Sequence, residues 1–190
     1  MKKIFLPAII GLLALRVSAQ KYVPVIKEGT VLTYDAFSRG LGQHITLTLT
    51  VTNFGGDPVK LIWNVDGYGT GTFAISAKAL ENGSKLVIKQ PDPDGVTTLN
   101  NDETLAVISK AGFNSLVTDK SFRLNGQKFN LAASDTISYK INDKNADVLH
   151  ALTDNGKNEI WVLNIPYFPL VYRAKAVTRG LDITLTGIKE

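Results

Sequence analysis

The stretch His44-Ile45-Thr46-Leu47-Thr48-Leu49-Thr50-Val51-Thr52 decides the fold class of this chain. Apolar residues alternate with polar ones over its whole length, and a period of two places the apolar side chains on one face of a β-strand. Turn residues follow in Gly55-Gly56-Asp57-Pro58, and the next run, 59–65, alternates in the same way. The two runs therefore predict a β-hairpin with one apolar face.

The alternation continues along the chain in about eleven short runs, at the spacing typical of an all-β barrel or sandwich. Asn82-Gly83, between the runs 73–77 and 86–88, and Asn125-Gly126 both favour tight hairpin turns, and the second predicts that Phe122 lies opposite Phe129. The other predicted strands are Leu105–Ile108, Ile137–Ile141, Val148–Leu152, Ile160–Ile165, Leu170–Val177 and Leu181–Ile188.

One helix is predicted, short and capped at its start by Ser109. Its apolar side would carry Phe113, Leu116 and Val117, which follow the i, i+3, i+4 spacing. The predicted fold is thus mainly β: a single curved antiparallel sheet that forms a barrel or half-barrel, with one short helix against its inner face. Such curvature would protect the edge strands that a long antiparallel sheet otherwise exposes.

The composition excludes several classes of site. The 190 residues fit one domain of ordinary size and include no cysteine, so a disulfide framework, a thiolate metal site and a thiol nucleophile are ruled out. Only two histidines are present, His44 and His150, and neither belongs to a recognisable catalytic motif. We expect His150 to point into the apolar side of its strand, hydrogen-bonded internally, and His44 to be exposed.

Residues 1–19 have the layout of a secretory signal peptide. Lys2 and Lys3 precede an apolar run, 4–15, and the segment ends in the small residues Ser18 and Ala19. The alternative is an uncleaved N-terminal anchor, but the run is short for a membrane span and contains a proline. The expected organisation is a signal peptide, 1–19, and a single β-rich domain, 20–190, with no stable membrane span once the leader is removed.

Removal of the leader changes the charge balance. The 21 basic residues fall by three to 18, against 17 acidic ones, so the formal net charge drops from +4 to +1. The remaining lysines and arginines are scattered, whereas phosphate binding needs them clustered on one face. We therefore expect an exported protein, periplasmic or secreted, that does not bind nucleic acid.

Four segments together resemble a known group of proteins. They are the first strand, 28–34, the stretch 101–109, the tryptophan-bearing strand 159–163, and the tail from Phe168-Pro169-Leu170-Val171 to 181–188. The chain resembles an exported Gram-negative family of β-rich proteins of unknown function, which is similar to the periplasmic half-barrel lipoprotein carriers of the LolA and LolB type. The resemblance implies a curved sheet, helical segments against its inner face and a hydrophobic groove. Where those carriers have several helices, this sequence offers one.

Two stretches resemble binding loops without meeting their requirements. Asp92 and Asp94 are the candidate metal ligands, but their turn lacks the third spaced ligand and the distant glutamate of a calcium loop, so the prediction is a solvated turn and no metal site. The glycines of 67–71 are followed by a strand, whereas a phosphate-binding loop opens a helix. No catalytic residue and no cofactor are predicted.

The remaining candidates are bulky side chains that could line an apolar groove at a barrel mouth. Each also has a position in its strand or helix that fits an ordinary core residue. The candidate ligand-binding residues are Trp63, Phe113, Tyr139, Trp161 and Tyr172.

Three functions follow as hypotheses. The leading one is an exported, non-catalytic β-domain that binds a lipophilic ligand, a glycan or an envelope protein. The second is a hydrolase of cell-envelope polysaccharide, which would need two carboxylates converging in a cleft. The third is a structural surface module without any cavity.

Overall fold

A computed structural model describes residues 21–89, 92–133, 137–178 and 180–190. The predicted signal peptide lies outside the described residues. About half of the described residues belong to strands. The strands are β1 (Val31–Ser38), β2 (Gln43–Thr52), β3 (Val59–Val65), β4 (Gly69–Ile75), β5 (Lys85–Leu86), β6 (Val96–Thr98), β7 (Glu103–Thr104), β8 (Ser121–Leu124), β9 (Gln127–Leu131), β10 (Lys140–Ile141), β11 (Lys144–Asn145), β12 (Val148–Thr153), β13 (Glu159–Leu163), β14 (Val171–Lys175) and β15 (Leu181–Lys189).

Eleven of these strands form one sheet, in the order β6-β4-β3-β2-β1-β15-β14-β13-β12-β9-β8. The first and last strands of the fold, β1 and β15, pair side by side in the middle of the sheet. In the part of this sheet that the structure describes, all pairs are antiparallel except β4 with β6, which is parallel. The sheet is therefore mixed, and the prediction of a purely antiparallel sheet is wrong at this edge. The strand order ends at β6 and β8, and no described pairing joins the two.

The predicted hairpins of the first strands and of Asn125-Gly126 are confirmed. β2 pairs with β3 from Leu47 opposite Val65 onwards, and Phe122 lies opposite Phe129. Asn125 and Gly126 both have the positive φ that this turn requires, 51° and 77°.

Two helices are present among the described residues, not one. The predicted helix is α2 (Lys110–Thr118), and Ser109 caps it by accepting a hydrogen bond from the Gly112 amide. The other helix, α1 (Ala77–Asn82), occupies the place of the predicted Asn82-Gly83 hairpin. Ser76 caps it by accepting from the Ala79 amide, and Gly83 ends it with a negative φ of −57°.

Several predicted strands are missing or shorter than expected, among them those at 105–108 and 137–141. Residues 105–108 are buried, but they form only an isolated bridge, from Val107 to Leu170. The strand expected at 137–141 is reduced to the two residues of β10, which pair with β11.

One apolar core lies against one face of the sheet. Strand residues such as Leu32, Leu49 and Leu61 join it, together with Ala79 of α1 and the stretch 105–108. From α2, Phe113 and Leu116 join the core, whereas Val117 is 38% exposed and does not. Among the described residues no helix is long and apolar enough to cross a membrane.

Candidate functional site

The described residues do not cover the core-facing side of the sheet completely. At the end where the β1–β2 and β3–β4 connections lie, a pocket of about 510 Å³ remains between the sheet and the segment that follows β5. We call it the apolar pocket. The side chains of its wall that matter most for the site are Ala36, Ile45, Leu47, Trp63, Tyr68 and Phe73.

The apolar row of β2 shows how the strand builds this pocket. Leu49 and Val51 are fully buried in the core, whereas Ile45 and Leu47, nearer the start of the same strand, are only half-buried and line the pocket. Their side chains share one face because the strand has a period of two. The apolar face of β2 therefore extends beyond the packed core, and this extension forms the pocket wall.

Trp63 forms part of the wall and is fully buried. It lies directly opposite Gly71 of β4 in the strand register, and a Cβ atom on Gly71 would come within 2.7 Å of its Nε1 atom. The absence of a side chain at Gly71 therefore makes room for the indole. Among the described residues the Trp63 Nε1 group has no hydrogen-bond partner. The Tyr68 ring lies 6.1 Å from the Trp63 ring.

Charged groups are few in this wall. Lys89 Nζ donates to Glu103 Oε2 at 2.6 Å, and Glu103, 7% exposed, also accepts from the Asn100 amide at 2.8 Å. Burial acts to raise the pKa of Glu103, but the hydrogen bonds from Lys89 and Asn100 outweigh it and lower the pKa. Among the described residues of the wall the other charged one is Asp66, which is exposed at the β3–β4 turn.

Three other candidate residues, Tyr139, Trp161 and Tyr172, meet elsewhere. Trp161 Nε1 donates to the Tyr139 hydroxyl at 2.8 Å, and the Tyr139 and Tyr172 rings are 5.5 Å apart, edge to face. Trp161 also stacks on His150, with ring centroids 4.3 Å apart, and the Arg173 guanidinium lies 5.1 Å from the Trp161 ring. We call these five residues the outer aromatic cluster.

The strand register places three members of this cluster, His150, Trp161 and Arg173, on the face opposite the core. His150, Trp161 and Arg173 are register partners across β12, β13 and β14, while the adjacent row of Ala151, Ile160 and Ala174 is fully buried. The prediction that His150 points into the core is therefore wrong. Its expected hydrogen bond is present, since Nε2 lies 3.2 Å from Glu159 Oε2.

The last ligand-binding candidate, Phe113, is 2% exposed in the core and is not part of the apolar pocket's wall. Of the five candidates, then, Trp63 alone lines that pocket.

Asp92 and Asp94 belong to a turn held against β4. The Asp94 amide donates to the Thr70 carbonyl at 2.7 Å, and the Thr72 amide donates to the Gly95 carbonyl at 2.9 Å. Among the described residues no group of three or more histidine or acidic side chains could hold a metal ion.

Comparison with protein families, curated proteins and solved structures found no match to this chain. The site is therefore interpreted from its own geometry.

Sequence reasoning identified Trp63 but missed the rest of the pocket wall. Ile45 and Leu47 were predicted only as the apolar face of a strand, and Ala36 was not singled out. The signal that could have found the site is Gly71 opposite Trp63: a glycine within a strand marks a close approach, here that of a large side chain.

Proposed function

We propose that this protein is an exported, non-catalytic β-domain that binds a lipophilic molecule in the apolar pocket. The observation that carries the proposal is the pocket itself: about 510 Å³, walled by aliphatic and aromatic side chains that continue the core. Small-molecule sites typically measure about 300–1,000 Å³ and have mainly apolar walls with a few polar groups. A glycan would need more polar partners than this wall offers.

The proposed architecture is a half-barrel whose concave side holds α1 and α2. The inner residues of the sheet and those of both helices belong to one core, which supports this arrangement. The residue pattern that resembles the periplasmic half-barrel carriers points in the same direction, as does the leader-like segment for export to the periplasm or medium of a Gram-negative bacterium.

The carboxylates of the described cavities favour binding over hydrolysis. In the part of the chain that the structure describes, the walls of five cavities contain at most one acidic residue each: Asp66 in two of them, Glu81 in another, Asp147 in a fourth and none in the fifth. A carboxylate-based glycosidase needs two. The binding hypothesis needs none.

The two tryptophans of the chain allow a direct test. Trp161→Phe leaves Trp63 in the pocket wall as the only indole, and Trp63→Phe leaves Trp161 on the opposite face, five strand spacings away, or about 24 Å along the sheet. A neutral dodecanol with a bromine at its far end quenches indole fluorescence on contact. We expect saturable quenching in Trp161→Phe and none in Trp63→Phe.

A second pair of variants separates binding from general destabilisation. Leu47 and Leu149 are both half-buried leucines that pack against the core, but only Leu47 lines the apolar pocket. Leu47→Asn, made in the Trp161→Phe background, should weaken the affinity measured by quenching about fivefold, because about 1 kcal/mol of apolar contact is lost. Leu149→Asn should leave the affinity unchanged. Absence of saturable quenching, or equal quenching of both tryptophans, would contradict the proposal.

A further inference from the structure

A second cavity adjoins the apolar pocket. It measures about 700 Å³ and shares Ile88 and Lys89 with the pocket's wall. We call it the basic groove. Besides Lys89, its charged lining residues are Arg39, from the β1–β2 turn, and Lys85 of β5.

The charged side chains among the described lining residues of this groove all have the same sign. Its described lining includes three cations and no carboxylate. Uncharged polar side chains complete that lining: Asn125, Gln127, Asn158 and Thr178.

The three cations are held in place by acidic partners that do not line the groove. Lys85 pairs with Asp102 at 2.8 Å, Lys89 with Glu103 at 2.6 Å, and Arg39 with Asp182 at 3.6 Å. An ammonium has three donors and a guanidinium five, so one such contact leaves donors for a ligand.

The Arg39 guanidinium also donates to the Thr178 carbonyl at 2.5 Å. This second bond fixes the guanidinium at the side of the groove. The charge is thus positioned before any ligand arrives, which lowers the entropy lost on binding.

We propose that the natural ligand is an anionic amphiphile, with its chain in the apolar pocket and its negatively charged head in the basic groove. Lys89, common to both cavities, stands at the junction between chain and head. This inference rests on the proposed function and adds the chemistry of the headgroup. Asp66, in the pocket wall at the β3–β4 turn, is the one carboxylate of either described lining, so the head is directed to the Lys89 side.

Four amphiphiles with the same twelve-carbon chain test the sign of the head. Dodecanoate, dodecyl phosphate, dodecanol and dodecyltrimethylammonium are each used, below the concentrations at which they aggregate, to displace the bromine-labelled dodecanol from the Trp161→Phe protein. We expect the two anions to bind at least about tenfold more tightly than dodecanol, because charge-assisted hydrogen bonds contribute about 1.5–3 kcal/mol. The gain should shrink as salt is added.

Removing Lys89 alone would leave the Glu103 carboxylate buried without its cation, so the variant is a pair: Lys89→Gln with Glu103→Gln. It should reduce the ratio of anion affinity to dodecanol affinity by about tenfold. The matched control is Lys110→Gln with Glu81→Gln, an ion pair of 3.2 Å that lines neither cavity. This control should change nothing.

The outcomes distinguish the two proposals. If the bromine-labelled dodecanol quenches Trp63 but the two anions displace it no better than dodecanol does, or if the cation binds best, the headgroup inference is overturned and the apolar site stands. If the bromine-labelled dodecanol itself gives no saturable quenching, the proposed function fails before the headgroup is tested. A preference for dodecanoate over dodecyl phosphate, or the reverse, identifies the head as carboxylate or phosphate within the same inference.

Discussion

Replacement of Gly71 by alanine should disturb the wall of the apolar pocket. A Cβ atom at this position would come within 2.6 Å of the Asp92 carbonyl oxygen and within 2.7 Å of Trp63 Nε1. Non-bonded heavy atoms are normally about 3.5–4.0 Å apart, so these neighbours would have to move by about 1 Å. The turn that carries Asp92 is held to β4 by backbone hydrogen bonds to Thr70 and from Thr72, and Trp63 is fully buried. Neither neighbour can yield without cost.

The magnitude follows from this crowding. Overpacking in a filled region costs about 1–3 kcal/mol. For a domain of this size each kcal/mol lowers the melting temperature by about 2–4 °C, so Gly71→Ala should melt about 2–12 °C below wild type. Urea unfolding followed by circular dichroism should show a lower midpoint with an unchanged slope.

Gly40→Ala is the matched control for Gly71→Ala. An added Cβ at Gly40 would meet no atom within 4 Å, and the backbone there does not have a positive φ. This variant should be neutral or more stable, by about 0.4–1 kcal/mol, because alanine restricts the unfolded chain. The reasoning is refuted if Gly71→Ala proves as stable as Gly40→Ala.

Three further outcomes are expected. Tyr34 is fully buried and its hydroxyl donates to the Val171 carbonyl at 2.8 Å, so Tyr34→Phe should cost about 1–2 kcal/mol in chemical denaturation, against little for Tyr172→Phe. The hydrogen bond from Lys175 lowers the pKa of Glu159 below its usual value of 4.5. Ionised Glu159 therefore adds to the free energy of unfolding fully above pH 4.5, and this contribution is lost as the pH falls through the folded-state pKa. The loss of unfolding free energy in Glu159→Gln, measured against wild type at neutral pH, should shrink on acidification below 4.5. Asn125→Ala removes the side-chain bonds to both backbone groups of Leu86 and to the Val177 carbonyl, and should speed amide hydrogen exchange at Leu86 while leaving Phe129 protected.

The two Asn-Gly pairs show where local sequence suffices and where it does not. Around Asn125-Gly126 the flanking residues alternate, and the pair forms the predicted turn. Asn82-Gly83 follows a segment that Ser76 can cap as a helix, and here glycine ends α1 instead. The dipeptide alone favours a turn, but its neighbours decide which chain reversal or helix end it makes.

Pairings between distant strands could not be predicted from local sequence patterns. Whether β6 joins β4 in parallel depends on residues more than twenty positions apart, and no local period reports it. The side of β12 on which His150 lies also depends on long-range packing. Val148 and Leu152 share its side of β12 and are half-buried, so apolar alternation there does not distinguish the core from a second apolar surface.

The candidate site could be predicted only in part, since alternation identifies the apolar face of β2 but not the depth to which that face is filled. Leu49 and Leu47 are equivalent in the pattern, yet one is fully buried and the other lines open space. The difference depends on how far the layer opposite the strand extends. That extent is a property of the whole fold.

The two tryptophans are both buried, but they differ in whether the protein fills the space beside them. The Trp161 indole has its partners within the protein: it donates a hydrogen bond to the Tyr139 hydroxyl, stacks on the His150 ring and contacts the Arg173 guanidinium. Trp63 is fully buried, and among the described residues its Nε1 group has no partner and the apolar volume beside it is not occupied by a side chain. An unpaired buried donor and an unfilled pocket each reduce stability, by about 1–3 kcal/mol for the donor. A domain without disulfides that retains both at one place has given up stability there, which is the expected trade for a binding site.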